Sequence, residues 1–486
     1  MRKLICLRAT LAAILISRFC VGAENQTPLG VLEKALAHSN SAIRLRAVEG
    51  MEPVIERVTD PASLAALLSR AVRDKSTPVR QQAITPLALV DRDAFVAVLP
   101  DFLGKGDEIM ELWAARALER VSAPAAKLEE LIPIAERLLE SDGLVTMNAG
   151  MSLSLTILKG LDPDSTAGLR HSQWVMESLL SRHPDRAIGV MVRSGAIAFR
   201  QKLSELENDP GLSPIITLSR CTVGIRSGCE QLAASISGSA AAQRGDLLGH
   251  LLWLPKEAEP GLSPAVRTVL AGAARDALSS QNSGMRITGL VMLEKMKSPD
   301  AKALAIALLA DPDSRVRLQA ALMLPDTADH RIRPIIENSF RSENLRGLAT
   351  SGVAERGRVE YAMQIAQTLE SDAGTGVKRA ALRQLAKLKA TGPVSHLITQ
   401  SFWKPGLEYH AAMAMVAVMG ESALAFFREV LTTEKEVVPV KRTKTYARTP
   451  EGSREFDRDA QKFYGPWERR IAAAKAIMML EGRVSE

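Results

Sequence analysis

The chain has 486 residues, 46% hydrophobic and 24% charged, which excludes wholesale disorder. Only 4% are aromatic, thin for a β-sandwich or barrel, whose strands favour aromatic and β-branched side chains. Of the formal charge of +7, four bases (Arg2, Lys3, Arg8 and Arg18) lie at the N-terminus; without them 58 basic and 55 acidic residues leave +3, no argument for a nucleic-acid binder.

Those four bases belong to a leader. Arg2, Lys3 and Arg8 come without an acid, Ala9 to Ile16 is an apolar run, and Val21, Gly22 and Ala23 are small. This is the order of a secretory signal peptide over residues 1–23, with cleavage after Ala23, so the expectation is an exported protein, periplasmic or secreted. Arg18 and Phe19 precede Cys20 where a lipoprotein has small residues, which argues against lipidation. No apolar run in residues 24–486 reaches about 18 residues, so no transmembrane span is expected in the mature chain.

From residue 40 onward a frame recurs: apolar, basic, two spacers, small, then apolar seven after the basic residue. Copies stand at Ile43-Arg44, Val79-Arg80, Met285-Arg286, Val316-Arg317, Leu345-Arg346 and Val377-Lys378. Looser copies stand at Met110-Glu111, Val145-Thr146, Leu407-Glu408 and Arg469-Arg470. Successive anchors lie about 32 residues apart, room for two helices and two short turns. Apolar positions inside each copy follow the spacing of one buried helix face. The small residue lets a neighbouring helix approach closely. Asp60-Pro61, Ser213-Pro214, Ser263-Pro264 and Ser298-Pro299 read as helix starts, a capping side chain before proline at the first helical position. The predicted fold class is an all-α α-solenoid of about 12 to 14 stacked helix pairs over residues 24–486.

The pattern resembles HEAT repeats and their bacterial PBS-lyase HEAT-like relatives, of the armadillo-like class. The resemblance is carried by Asp74 with Arg80, Asp311 with Arg317, and Asp372 with Lys378, each basic residue preceded by Val and followed by the small position. It implies that these six residues contribute to a ladder between stacked repeats. At residues 105–111 the charges are reversed, Lys105 standing before Glu111. Registers are not legible in 160–265.

Cys221 and Cys229 are the cysteines left after the leader. On one helix they would lie about 12 Å apart and could not bond; Gly224 and Gly228 suggest instead a loop that could close a disulfide, and free buried thiols are the alternative. Near the C-terminus, Ala423 to Leu431 reads as the first helix of a late unit, and Pro466-Trp467 opens the second. Between them, residues 432–465 read as an inserted loop, with Ser453 capping a short helix through Phe456, Ala460 and Phe463. Its run of Lys441, Arg442, Lys444, Tyr446 and Arg448, with Tyr464 and Trp467, forms the candidate partner-binding set. A solvated insertion is the alternative.

No Cys-x-x-Cys-His, His-Glu-x-x-His, Gly-x-Ser-x-Gly or phosphate-binding loop is present, and the seven histidines are scattered. Each histidine reads as a surface or capping residue, and Trp113 and Trp403 as core or turn anchors. No catalytic, cofactor or metal residues are expected. The expectation is a non-enzymatic exported scaffold that binds a protein or peptide partner through a concave face or the 432–465 insertion. The alternatives are a HEAT-like enzyme such as a bilin lyase or isomerase, and a structural component of an envelope assembly.

Overall fold

The computed structural model describes residues 27–103, 107–121, 123–195, 197–206, 209, 213–222, 226–238, 262–433 and 450–484. The leader at residues 1–23 therefore lies outside the described residues. Among those described, every regular element is helical. They form two compact units, one made of residues 1–94 and 359–486, the other of residues 95–358.

The helices of eight residues or more run as follows. The first unit opens with α1 (Pro28–Leu36), α2 (Ser41–Val48), α3 (Pro61–Ala71) and α4 (Thr77–Val90). The second unit holds α5 (Glu108–Glu119), α6 (Ala125–Glu140), α7 (Leu144–Gly160), α8 (Thr166–Trp174), α9 (Pro184–Ser194), α10 (Ser213–Thr222) and α11 (Arg226–Gly238). It continues with α12 (Pro264–Leu278), α13 (Ser283–Lys295), α14 (Ala301–Leu308), α15 (Ser314–Leu322), α16 (Ile332–Arg341) and α17 (Glu343–Glu355). The first unit resumes with α18 (Thr375–Leu388), α19 (Pro393–Phe402), α20 (Glu408–Met419), α21 (Leu424–Thr433) and α22 (Pro450–Val484). Each helix packs mainly on its neighbours in the chain, the arrangement of an α-solenoid.

Helix starts obey local chemistry. Asp60 accepts from the Ser63 amide at 3.0 Å and Ser263 from the Val266 amide at 3.3 Å, each with proline next in the chain. Ser298 does not cap: α14 begins at Ala301, and the Ser298 hydroxyl instead joins Asp300 and Arg275 in the preceding turn. Buried faces follow the helical period, as in Ile332, Ile336 and Phe340 of α16. Gly289, the small residue of its frame, shows why size matters there: a Cβ would stand 2.6 Å from the Ala274 carbonyl oxygen of α12.

The frame's basic anchor has one recurring job. Arg44, Arg80, Arg286, Arg317 and Arg346 each donate to the carbonyl six residues back, at 2.9, 2.9, 2.8, 2.6 and 2.8 Å. The guanidinium thereby ties down the turn that precedes its own helix. Arg44 also grips Asp74 of the next repeat through two bonds of 2.6 and 3.0 Å, and Arg286 grips Asp311 at 2.8 and 2.9 Å. Each Asp thus takes the arginine of the preceding repeat, while Arg80 and Arg317 hold its backbone. Burial pushes the Asp74 carboxyl up, but the bonds from Arg44 and Ser76 outweigh it and hold it below the ordinary carboxylate range. Among the described residues, Asp372 and Lys378 make no such ion pair, so the ladder does not extend to them.

Two expectations near the C-terminus change. The short helix expected through Phe456, Ala460 and Phe463 is present but longer: α22 is one helix from Pro450 to Val484 with Pro466 inside it, so Pro466 does not open a new one. Proline was read as a helix start, but an interior proline forfeits one backbone bond and is tolerated where packing compensates. Pro86 in α4 and Pro133 in α6 are further cases. Secondly, Glu408–Thr433 is long and apolar enough to cross a membrane by length and composition alone. Counting unbroken apolar runs missed it because isolated polar residues barely lower a window average. It is folded as α20 and α21, broken at Gly420, with Ala411, Ala412, Met415 and Phe427 buried.

α22 packs on α20 and α21 and also on α1, α2 and the one-turn helix Glu52–Ile55. The first and last repeats of the chain are therefore in contact within the first unit. Residues 470–480 are buried all round the helix. Ile471, Ile477, Met478, Met479 and Leu480 alone contribute roughly 7–15 kcal/mol of gross hydrophobic stabilisation on burial.

Candidate functional site

The contact between first and last repeats is held by polar groups as well as apolar ones. Lys475 of α22, fully buried, donates to the carbonyls of Arg46 and Glu49 at 2.6 Å each, capping the C-terminal end of α2. Tyr409, in the first turn of α20, donates its hydroxyl to the Gly50 carbonyl at 3.0 Å. Arg46 bonds Glu468 of α22 at 3.1 Å and pairs with Glu49. Arg379 of α18 donates from Nε to the Gly406 carbonyl at 2.8 Å.

Between these groups lies a small cleft, open to solvent and lined chiefly by Arg46, Glu49, Arg379, Glu408, Tyr409, His410 and Glu468. Its ionisable groups are displaced from their ordinary values. Burial, and then the Glu468 charge, push Glu408 up to about 7. Burial, and then Arg379 and Arg383, push His410 down to about 4. Burial, with Glu49 and Glu52, pushes Tyr409 up to about 12, and burial brings Lys475 down to about 7 against the pull of Glu49. The cleft therefore combines an imidazole and a carboxyl that burial keeps from charging with two guanidinium groups and the carboxyl groups of Glu49 and Glu468. Such a set can recognise polar and charged groups in fixed positions.

The sequence marked other residues. Lys441, Arg442, Lys444, Tyr446 and Arg448 lie outside the described residues, and of Tyr464 only its place in α22 is described. Trp467 is corrected: it is 4% exposed, edge-on to His38 at 5.6 Å, with the Arg470 guanidinium 5.1 Å from its ring centroid. It packs inside the junction and presents no surface to a partner. Trp403, read as an anchor, is 47% exposed beside Phe402 and Phe426. Cys221 at the end of α10 and Cys229 in α11 form a disulfide that joins the two helices.

Two histidines depart from the surface reading. His410 lines the cleft. His171 of α8 is fully buried, with Nε2 2.8 Å from the Ser154 hydroxyl of α7 and Nδ1 3.2 Å from Glu136 of α6. The order serine, histidine, carboxylate is that of a hydrolase triad. Here Ser154 is also fully buried in mid-helix, so no substrate reaches it. The three groups tie α6, α7 and α8 together. Sequence reasoning missed the cleft, although one signal was present: Glu408 occupies an anchor slot that holds Arg or Lys in seven other copies, a departure it shares with Glu111 and Thr146.

No protein-family model matches the sequence, and no curated protein does. Among solved structures, an engineered protein is 17% identical, with 81% of this chain and 99% of that one covered at a TM-score of 0.28. The karyopherin Kap121p bound to the extreme C-terminus of the protein phosphatase Cdc14p is 12% identical, with 98% and 56% covered at a TM-score of 0.32. A mutant of Kap121p is 11% identical, with 90% and 54% covered at 0.30. The chain spans about half the length of the two Kap121p chains. At these identities and scores, any functional reading must stand on the chain's own geometry.

Proposed function

We propose that the protein is an exported, non-catalytic helical scaffold that holds a protein or peptide partner. The observation that carries this reading is the cleft of the first unit, where ionisable side chains of the first and last described repeats converge at a small surface opening. Arg379 of α18 and Tyr409 of α20 are fixed by bonds to backbone carbonyls, and Arg46 of α2 by Glu49 and Glu468, which is preorganisation for recognition. Export draws on the leader pattern, and the Cys221–Cys229 disulfide suits an oxidising compartment. Two free thiols in protein isolated from its native source would remove that support.

The test is affinity capture from the native cell envelope with two baits, residues 24–486 and the same chain with 434–449 replaced by a short Gly/Ser turn. A partner caught by both baits assigns binding to the helical units. A partner caught only by the intact bait assigns it to the replaced segment. Failure of both to enrich any protein ends the scaffold reading. One observation favours a second reading, an enzyme: Glu408, at about 7 beside Glu468, could donate or accept a proton at neutral pH. A covalent coloured adduct after incubation with a bilin would promote it.

A further inference from the structure

α18 and the residue that follows it carry five bases and no acid from Thr375 to Lys389. Ala381, Leu382 and Leu385 hold one face of the helix in the core. Arg379, Arg383 and Lys387, four residues apart, therefore form a stripe on the opposite face. Arg383 and Lys387 are exposed, and Arg379 stands half-buried where the stripe enters the cleft. Among the described residues none of the three pairs with a carboxylate; Arg379 uses only Nε, on the Gly406 carbonyl. Other exposed arginines are paired, as Arg275 is to Asp300 and Arg331 to Asp329.

The spacing points to a ligand. Residues four apart on a helix rise about 6 Å. In an extended peptide, side chains on one side recur every about 6.6 Å. We propose that this stripe docks an extended acidic segment of a partner protein, with a carboxylate at every second residue and one end carboxylate seated in the cleft between Arg379 and His410. The proposal rests on the partner-binding reading above and names the partner's chemistry. His410 is surrounded for this purpose by Arg379, Arg383 and Arg46, with Glu49 in opposition. Arg46 is already held by Glu49 and Glu468, so an arriving carboxylate meets Arg379 and Arg383. Glu49, Glu408 and Glu468 in the cleft, and Asp372 ahead of the helix, admit a segment with few carboxylates but oppose an unbroken polyanion, which favours a peptide over nucleic acid.

The experiment uses the full chain and fluorescence anisotropy. The probe is a fluorescein-labelled hexapeptide alternating glutamate and serine. Controls are the same composition in block order, a lysine-for-glutamate version, and a labelled single-stranded oligonucleotide. The alternating peptide is expected to bind best and to weaken with salt. Arg383→Glu, an exposed change outside the core, is expected to weaken it about tenfold by placing like charge opposite the ligand. The His410 ring resonances are expected to titrate at higher pH in the saturated complex. Unchanged affinity in Arg383→Glu overturns the proposal, and so does tighter binding of the oligonucleotide. Retention of an envelope partner by an R379E/R383E/K387E bait overturns this surface and leaves the scaffold reading standing; capture of nothing by the unaltered chain removes the scaffold reading itself.

Discussion

Lys475→Met tests how the first and last repeats are joined. The folded ammonium loses its proton near 7, against 10.5 for an ordinary lysine, because burial disfavours its charge. Between these values the unfolded chain binds more protons than the folded one, so stability rises with pH across that window. Integrated from pH 7 to 9, this single group contributes an increase of about 2 kcal/mol in wild type. Below 7 two neighbours act in opposite senses: Glu408, raised to about 7, lowers stability as pH climbs, and His410, lowered to about 4, raises it. Their windows overlap and largely cancel, which leaves Lys475 to set the slope above 7. Methionine removes the ionisation but also the two bonds to the Arg46 and Glu49 carbonyls, each worth about 0.5–1.5 kcal/mol for the neutral amine that predominates above pH 7. Those bonds offset the gain by an amount that changes little with pH, so the diagnostic is the slope. Urea melts of wild type and variant at pH 7, 8 and 9, followed by tryptophan fluorescence, give the difference in unfolding free energy at each pH. That difference is expected to widen in favour of wild type by about 2 kcal/mol across the series. A constant difference refutes the argument that Lys475 is a buried, proton-poor cap.

Arg44→Ala strands the Asp74 carboxylate and should destabilise the first unit by about 3 kcal/mol in urea melts near neutral pH. The pair's contribution is present above the ordinary aspartate value of 3.8 and is lost as pH falls through the lower folded value, so wild type and variant should converge in acid. His171→Ala removes two hydrogen bonds from a fully buried ring and should lower stability by about 3 kcal/mol, with Ser154→Ala costing less and the double variant less than the sum; strict additivity would mean the two residues do not act as one tie. Gly482→Ala would place a Cβ 1.7 Å from the Arg57 carbonyl oxygen and should force the terminal junction apart, read as faster hydrogen exchange in α1 and α2. Gly347→Ala, in helix α17 with open space around it, should instead stabilise by about 0.5–1 kcal/mol.

The repeat was legible because its chemistry is local. Arg44, Arg80 and Arg286 bind a turn only five or six residues behind them, and the small position answers to the adjacent helix. What escaped was tertiary. Pro466 looks the same in sequence whether it starts a helix or bends one. His171 meets Ser154 and Glu136 only when three helices assemble, across separations of 17 and 35 residues. The cleft needs α2 and α22, whose bonded groups lie more than 400 residues apart. Hints existed in the composition of single helices. A lysine inside the all-apolar run from Ile471 to Leu480 has no solvent to reach, and so requires a partner. A glutamate in the anchor slot at 408, like Glu111 in its own copy, replaces the arginine that five copies use to tie down a turn.

The joined ends have a kinetic meaning. The second unit is one continuous stretch, and its helices can dock as soon as they are made. The first unit is split around it, so α1 and α2 must wait until α22 has left the ribosome, and any translocation pore, before their faces are covered. Closing so long an intervening segment costs only slowly growing entropy, since loop closure scales with the logarithm of length. Delay is the larger penalty. During it the apolar faces of the earliest helices stay bare and vulnerable to proteases and misassembly. A nonsense mutation that removes only the last helix would therefore be felt first at the opposite end of the chain.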